Sequence, residues 1–237
     1  MNSIIIANWK MNMTLSAAID LATELETIDH SYQFLIAPPA PYLAQLASFV
    51  KKNKICAQDV SFHGGFGAYT GESSADIIKS CGINYAIIGH SERRFNQKES
   101  NELIYSKVDN CLSAGIIPII CVGEPLDIRA NNSYREYITQ QINSSIPKGA
   151  PNIIIAYEPI WSIGSGNVPT IEQISEVIEL IKNNVKLEMV AKTAQVVYGG
   201  SVNSKNFAQI LKINGLDGIL IGAASMNWSE MNIILKS

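Results

Sequence analysis

The chain is poor in charged residues and has no long apolar run, and each shortage excludes a class of protein. Charged residues make up 16% of the 237 positions, against ~25% in an average soluble domain. The formal net charge is −3 with no basic block, which argues against a nucleic-acid partner. No apolar run reaches the ~18 residues of a membrane span, so no membrane partner is expected. Apolar residues make up 47%, which favours a deeply buried sheet.

Cysteine and histidine are also scarce. Four cysteines occur and none forms a C-x-x-C pair: Cys56, Cys81, Cys111 and Cys121. We interpret them as reduced thiols of a cytoplasmic protein, and the N-terminus lacks the features of a signal peptide. A catalytic thiol remains an alternative. Of three histidines, His30 and His63 have no companions at ligand spacing, so we expect no metal and no cofactor.

Short apolar runs alternate with longer amphipathic segments. The continuously apolar runs predict strands covered on both faces: Ile4–Trp9, Gln33–Ala37, Lys54–Gln58, Tyr85–Gly89, Ile116–Val122, Ile153–Tyr157, Ala194–Tyr198 and Gly218–Ile221. Apolar residues at helical spacing predict helices over Thr14–Ile28, Ser100–Ala114 and Ile171–Val185. Thr14 and Thr170 are suitable N-caps for two of them.

Eight βα units imply a parallel sheet, either doubly wound or closed. The dinucleotide-binding version of a doubly wound sheet carries G-x-G-x-x-G after its first strand. Here that position reads Asn8-Trp9-Lys10. The alternative is a closed (β/α)₈ barrel of about 250 residues, and no linker or shift in composition divides the chain. We therefore expect an α/β protein with one barrel domain over residues 1–237.

Polar residues follow several of the predicted strands. Asn8 and Lys10 come at the end of the first, His90 after the fourth and Glu158 after the sixth. Because the carboxyl ends of barrel strands meet on one face, these side chains are expected to converge. A carboxylate in a dry site can act as a general base. An imidazole and an ammonium group can stabilise an oxyanion beside it.

Small residues follow the last two strands, as Gly199-Gly200-Ser201 and Gly222-Ala223. A Gly-Gly pair alone is also typical of a tight turn. Two such turns after strands seven and eight indicate a phosphate site, since backbone N–H groups can approach an anion closely there.

A loop that could cover the site follows Glu158. Pro159 ends the strand, and Trp161, Gly164 and Gly166 follow. Such a loop can shield a reactive intermediate from water. Together these features point to metal-free proton transfer beside a carbonyl of a small phosphorylated substrate.

Six segments, in order, resemble the triosephosphate isomerase family over essentially the whole chain. They are Asn8–Asn12, Gly67–Glu72, Ile87–Arg94, Cys121–Glu124, Ala156–Pro159 and Tyr198–Val202. The resemblance implies a TIM barrel that interconverts dihydroxyacetone phosphate and D-glyceraldehyde 3-phosphate through an enediol(ate), in glycolysis and gluconeogenesis in the cytoplasm.

The resemblance also implies roles for particular residues. Glu158 would move the proton, His90 would polarise the carbonyl and Lys10 would bind the substrate and stabilise negative charge. The family is itself the standard case of an imidazole kept neutral at a helix N-terminus. Asn8 would donate a hydrogen bond, and Glu92 would pair with Lys10. Backbone N–H groups would hold the phosphate at Gly164, Ser201, Gly222 and Ala223, under a lid over Pro159–Pro169.

A homodimer is expected from the same resemblance, because the family carries a subunit-bridging loop after strand three. Gln58–Glu72 matches that loop. Thr70 would approach the partner subunit's Asn8 and the partner subunit's His90. Glu72 would pair with the partner subunit's Arg93.

The chain departs from the family pattern at a few positions. Asp59 stands where asparagine is common, and an ionised carboxylate cannot donate a hydrogen bond. Ala223 replaces a common glycine and demands ordinary backbone angles. Pro169 has no N–H to offer Tyr198, so we expect Tyr198 to find another partner or to contribute less to lid closure.

Other functions remain open at this point. A metal-dependent epimerase would need a His/Asp ligand set, and a Schiff-base aldolase would need a lysine inside a late strand, whereas Lys192 precedes strand seven. A catalytically inactive barrel would serve as a scaffold. Loss of Lys10, His90 or Glu158 would favour that reading, and all three are present.

Overall fold

A computed structural model describes residues 3–163 and 168–237 of the chain, apart from the side chain of residue 187. Eight strands are found within these residues: β1 Ile4–Asn8, β2 Gln33–Ala37, β3 Lys54–Ile55, β4 Tyr85–Ile88, β5 Ile117–Val122, β6 Ile153–Tyr157, β7 Ala194–Tyr198 and β8 Gly218–Ile221. Four match the predicted bounds and the others are shorter.

The eight strands form one parallel sheet in the order β3-β2-β1-β8-β7-β6-β5-β4. A bridge between Ala57 and Ala86 joins its two edges. The Ala57 N–H donates to the Tyr85 carbonyl at 2.9 Å, and the Ala57 carbonyl accepts from the Ile87 N–H at 2.8 Å. The predicted (β/α)₈ barrel is confirmed.

The prediction for the third strand was wrong in length, because its chain changes neighbours. Ile55 pairs with β2, and the Cys56 N–H still donates to the Ile36 carbonyl. Ala57 already bonds to β4. The strand therefore ends early in the ladder, at the point where the barrel closes.

Helices lie outside the strands. Within the described residues they are α1 Leu15–Glu26, α2 Leu43–Phe49, α3 Ala75–Ser80, α4 Ser91–Asn96, α5 Asn101–Ser113, α6 Leu126–Ala130, α7 Tyr134–Ser145, α8 Ile171–Leu187, α9 Phe207–Ile210 and α10 Trp228–Leu235. The three predicted helices correspond to α1, α5 and α8. The Thr14 side chain caps α1, and Thr170 forms a capping box with Gln173 at α8. No helix in the described part is long and apolar enough to cross a membrane.

Two apolar layers cover the opposite faces of the strands. The inner layer fills the barrel with alternate residues of every strand: Ile4, Ile6, Leu35, Ala37, Cys56, Ile87, Ile119, Cys121, Ile154, Ala156, Val197 and Leu220. The outer layer packs the intervening strand residues, such as Ile5 and Ile155, against the helices. Burial of both faces explains the continuously apolar strands. The barrel interior is filled with side chains, so a ligand has access at the ends of the strands.

Candidate active site

A cavity of about 620 Å³ opens at the carboxyl ends of the strands. Its wall includes Lys10 after β1, His90 after β4, and residues 199–203 and 222–224 after β7 and β8. Ile160 and Ile163 add an apolar side. Segments far apart in sequence thus meet at one face, as the strand order requires.

Lys10 is held in an uncommon backbone conformation by two neighbours. Its φ is 52°, a left-handed value that non-glycine residues adopt rarely and at a cost in energy. Its N–H donates to Asn8 Oδ1 at 3.0 Å, and its carbonyl accepts from Gln58 Nε2 at 2.8 Å. Asn8 thus helps to set Lys10 through its Oδ1, and donation by its amide group stays a prediction. Lys10 Nζ lies 2.6 Å from Glu92 Oε1, which places the ammonium group at the cavity.

His90 is the N-cap residue of α4. Its Nδ1 accepts a hydrogen bond from the Glu92 N–H at 3.3 Å. This bond assigns the proton of a neutral imidazole to Nε2. His90 Nε2 lies 3.1 Å from Glu158 Oε1. The fold of one helix start therefore sets both the tautomer and the direction of the ring.

Glu158 follows β6, and its side chain is 1% exposed. Oε2 accepts from the Ser91 N–H at 2.9 Å, while Oε1 makes no hydrogen bond within the described residues despite its closeness to His90. Glu158 is not among the described residues that line the cavity. In this state the carboxylate is held beside the cavity by one donor and keeps one oxygen available.

A second buried carboxylate, Glu124, follows β5. Its Oε1 accepts from the Tyr157 hydroxyl at 3.1 Å and the Trp161 indole N–H at 2.9 Å. Arg129 Nη1 lies 3.7 Å from the same oxygen. Burial raises the pKa of Glu124, and hydrogen bonds and Arg129 oppose that rise. The sequence analysis gave Glu124 no role, because the residues next to it do not reveal that Tyr157 and Trp161 donate to it.

The predicted phosphate cradle, residues 199–201 and 222–223, lines the cavity. A Cβ on Gly200 would lie 2.1 Å from the Tyr198 hydroxyl oxygen, so only glycine fits there. Ser201 Oγ donates to the Ser162 carbonyl at 3.0 Å, which ties the cradle to the turn after Glu158. A 3₁₀ turn begins at Ala223, whose φ is not positive, so the methyl group is accommodated as expected. Gly164, the fourth predicted phosphate ligand, lies outside the described residues, as do residues 165–167 of the predicted lid.

Tyr198 is fully buried beside Ser162. Within the described residues its hydroxyl makes no hydrogen bond of ordinary geometry. Burial raises the pKa of Tyr198, and the Ser162 side chain opposes that rise. Ser162 is thus a polar neighbour of Tyr198. That Tyr198 finds another hydrogen-bond partner, or contributes less to lid closure, remains a prediction.

Three of the four thiols, those of Cys56, Cys111 and Cys121, are buried and unsuited to nucleophilic chemistry. Burial, and secondarily the Glu158 charge, raises the pKa of Cys121 well above 9.0. Burial raises the pKa of Cys111 to about 12 and also raises the pKa of Cys56. Because the thiolate is the reactive form, these shifts argue against a catalytic thiol at these three positions.

An aldolase would need a lysine in the cavity, and a metal-dependent epimerase would need a cluster of metal ligands. Lys192 is exposed and precedes β7, at the end of the strand away from the cavity. Within residues 3–163 and 168–237, no group of three or more His, Cys, Asp or Glu side chains is arranged to hold a metal ion. A Schiff-base lysine of the aldolase kind is therefore not supported by Lys192.

Known proteins with similar sequences point in one direction. The family model described as triosephosphate isomerase matches residues 3–237. A protein named triosephosphate isomerase from Orientia tsutsugamushi (strain Boryong) is 43% identical, over 100% of this chain and 98% of its own. Proteins of the same name from Neisseria meningitidis serogroup A and Amoebophilus asiaticus are 38% and 37% identical, over at least 96% of each chain.

Fold and site together define an enzyme of the (β/α)₈-barrel class, with a carboxylate, an imidazole and an ammonium group at the carboxyl ends of the strands. The match over nearly the whole length narrows the class to an isomerase that interconverts aldoses and ketoses. The chain belongs to the triosephosphate isomerase family.

Proposed function

We propose that the chain interconverts dihydroxyacetone phosphate and D-glyceraldehyde 3-phosphate in glycolysis and gluconeogenesis. The observation that carries the proposal is that Lys10 and His90 line a single cavity, with Glu158 held beside it against His90. His90 Nε2 lies 3.1 Å from Glu158 Oε1, and both Lys10 and the phosphate cradle line the same cavity.

The phosphate ester of the substrate is expected to bind in the cradle, through backbone N–H groups of Ser201, Gly222 and Ala223. Gly164 is proposed as a further ligand. A Cβ on Gly222 would lie 3.9 Å from Lys10 Nζ, so the ammonium group borders the cradle. It can therefore attract the anionic substrate and stabilise negative charge that develops on its oxygens.

Glu158 is proposed as the base. Rotation of its side chain away from the Ser91 N–H would bring a carboxylate oxygen to the carbon beside the carbonyl. The C–H bond breaks, its proton goes to the carboxylate and its electron pair forms the enediolate. The His90 Nε2–H donates to the developing oxyanion. The hydroxyl proton on the attacked carbon passes to the oxyanion on its neighbour, a transfer for which His90 Nε2 is proposed as donor and acceptor. Return of the Glu158 proton to the neighbouring carbon then completes the isomerisation, and no external oxidant or reductant is needed.

Solvent isotope exchange tests this proposal directly. In deuterium oxide, a coupled assay that starts from dihydroxyacetone phosphate should yield glyceraldehyde 3-phosphate with deuterium at C2, because the Glu158 proton exchanges with solvent. Glu158→Gln should abolish turnover, and Glu188→Gln, which alters an exposed carboxyl after α8, should not. Product without deuterium, together with full turnover by Glu158→Gln, would contradict proton transfer through Glu158.

A homodimer through the Gln58–Glu72 loop is part of the proposal. Its support is the exposure of Phe62, Phe66 and Tyr69 on that loop, since clustered exposed aromatic groups mark interaction surfaces. Thr70 would then approach the partner subunit's Asn8 and the partner subunit's His90. Sedimentation velocity should show a dimer, and a monomer with full activity would refute the arrangement.

We further propose that residues 1–237 act as one catalytic domain in the cytoplasm, without a membrane or nucleic-acid partner. The support is the burial that holds Cys56, Cys111 and Cys121 as thiols and the low net charge. Cell fractionation of the native host would test the compartment.

A further inference from the structure

Four charged side chains outside the cavity form a closed ring in which the sign of the charge alternates. Lys107 Nζ lies 2.8 and 2.7 Å from the two carboxylate oxygens of Asp59 and 2.6 Å from Glu99 Oε1. Arg93 Nη2 lies 2.8 Å from Asp59 Oδ2, and Arg93 Nε lies 2.7 Å from Glu99 Oε1. Each cation thus contacts both anions. We call these four residues the charge ring.

The charge ring is buried to different depths. The side chains of Lys107 and Glu99 are 3% and 4% exposed, whereas those of Asp59 and Arg93 are 23% and 37% exposed. Two cations and two anions give zero net charge. Loss of one anion would leave an uncompensated positive charge around a buried ammonium group, which is the costly way to break such a cluster.

The charge ring connects the predicted dimer loop to the active site. Asp59 is its one member from Gln58–Glu72, and Arg93 belongs to α4. The same short helix carries Ser91, whose N–H holds Glu158, and is capped by His90. A shift of Arg93 would therefore move α4, and with it the Ser91 N–H that holds Glu158 and the Glu92 N–H that orients His90.

Gln58, the residue before Asp59, reaches the other side of the site. Its Nε2 donates to the carbonyls of Lys10 and Ala37, both at 2.8 Å. Two consecutive side chains at the base of the loop thus hold the strained backbone of Lys10 and, through Arg93, the helix of His90. Burial raises the pKa of Asp59 by more than Lys107 and Arg93 lower it, and the Glu99 charge adds to the rise.

We propose that Asp59 is a positioning residue for the isomerisation, acting through Arg93 to hold α4 and with it His90 and the Ser91 N–H. This inference depends on the proposed function. Asp59 touches neither the cavity nor the cradle, so its charge is expected to affect proton transfer and not phosphate binding.

The test is Asp59→Asn, which keeps the shape, removes the charge and installs the residue that is common in the family. The loss expected here is therefore specific to the charge ring of this chain. At a protein concentration where sedimentation shows the wild-type assembly state, we expect kcat to fall about tenfold, equivalent to ~1.4 kcal/mol. The inhibition constant of inorganic phosphate should change by less than about twofold, which a general loss of structure would not allow. Asp59→Glu, which restores the charge, should recover kcat to within about threefold of wild type.

Asp76→Asn is the matched control. The Asp76 carboxylate accepts from the Gly65 N–H of the same loop at 3.1 Å but is not in the charge ring, so kcat should be unchanged. If Asp59→Asn does not fold, Arg93→Lys serves instead. It keeps the charge but cannot bridge both anions through a planar fork, and kcat should again fall while phosphate inhibition is retained.

Wild-type kcat in a folded Asp59→Asn or Arg93→Lys protein would overturn the inference. An equal loss of kcat and phosphate binding would do so too, as would a kcat loss that vanishes once the assembly is saturated. Wild-type protein assayed in the same experiment separates failure of the proposed function from failure of this inference. No turnover by wild type refutes the proposed function itself. Normal turnover by both wild type and the variant refutes only the role of Asp59.

Discussion

Two buried glutamates stand at the ends of neighbouring strands and differ in how they are held. Glu124 after β5 is 0% exposed, and one of its oxygens accepts from both Tyr157 and Trp161. Glu158 after β6 is 1% exposed. Within the described residues Oε2 accepts from the Ser91 N–H, and Oε1 faces His90 without a hydrogen bond of ordinary geometry. A carboxylate fixed by several donors supports structure. One held by fewer donors beside an imidazole fits the proposed role of a base.

The largest expected effect comes from shortening each acid by one methylene. Glu158→Asp should lower kcat by roughly 10²–10⁴, because a general base must meet the substrate carbon at contact distance. Glu124→Asp is the matched control and should cost less than about tenfold. Steady-state assays and phosphate inhibition measure both variants, and equal losses would erase the distinction between the two acids.

Removal of the imidazole should have the next largest effect. His90→Gln should lower kcat by about 10²–10³, as expected for one lost oxyanion donor, with little change in phosphate inhibition because the cradle lies on β7 and β8. His30→Gln, at the opposite end of the barrel, where His30 pairs with Asn53, is the control. A weaker effect than that of Glu124→Asp would show that the contact between His90 and Glu158 is not used in turnover.

Glu124→Gln should act on stability more than on chemistry. The amide keeps one acceptor for Tyr157 and Trp161, but its NH₂ group takes the place of Oε2, which has no hydrogen-bond partner within the described residues. A buried donor without an acceptor should lower the free energy of unfolding by about 1–3 kcal/mol. Urea denaturation monitored by circular dichroism measures the change. A kcat loss as large as that of Glu158→Asp would assign Glu124 to the reaction.

The smallest expected effect is a pH dependence of the same variant. Burial raises the pKa of Glu124 above its ordinary 4.5, so the folded state keeps a proton that the unfolded state releases. The contribution of Glu124 to stability is therefore complete below pH 4.5 and is lost as the pH rises through the raised pKa. The unfolding free energy of wild type minus that of Glu124→Gln should decrease over this range, and an increase would reverse the assigned direction.

Much of the barrel could be predicted from local pattern. The apolar runs of β2, β6, β7 and β8 were predicted with the bounds that the structure has, because burial on both faces leaves an uninterrupted apolar signal. β3 was too long in the prediction, since its exchange of β2 for β4 depends on barrel closure. Lys10, His90 and Glu158 were identified as candidates from their positions after strands, while their functional roles remain proposals.

The amino-acid sequence by itself determined the number of strands, their burial on both faces and the reactive side chains at their ends, because these depend on local periodicity and residue chemistry. Only the tertiary structure decided that Glu124 accepts from two side-chain donors, while Glu158 accepts from the Ser91 N–H and faces His90. It also placed Asp59, Arg93, Glu99 and Lys107 in one ring. The physical reason is that hydrogen-bond donors and counter-charges act over a few ångströms, and closure of the barrel sets which distant residues come that close.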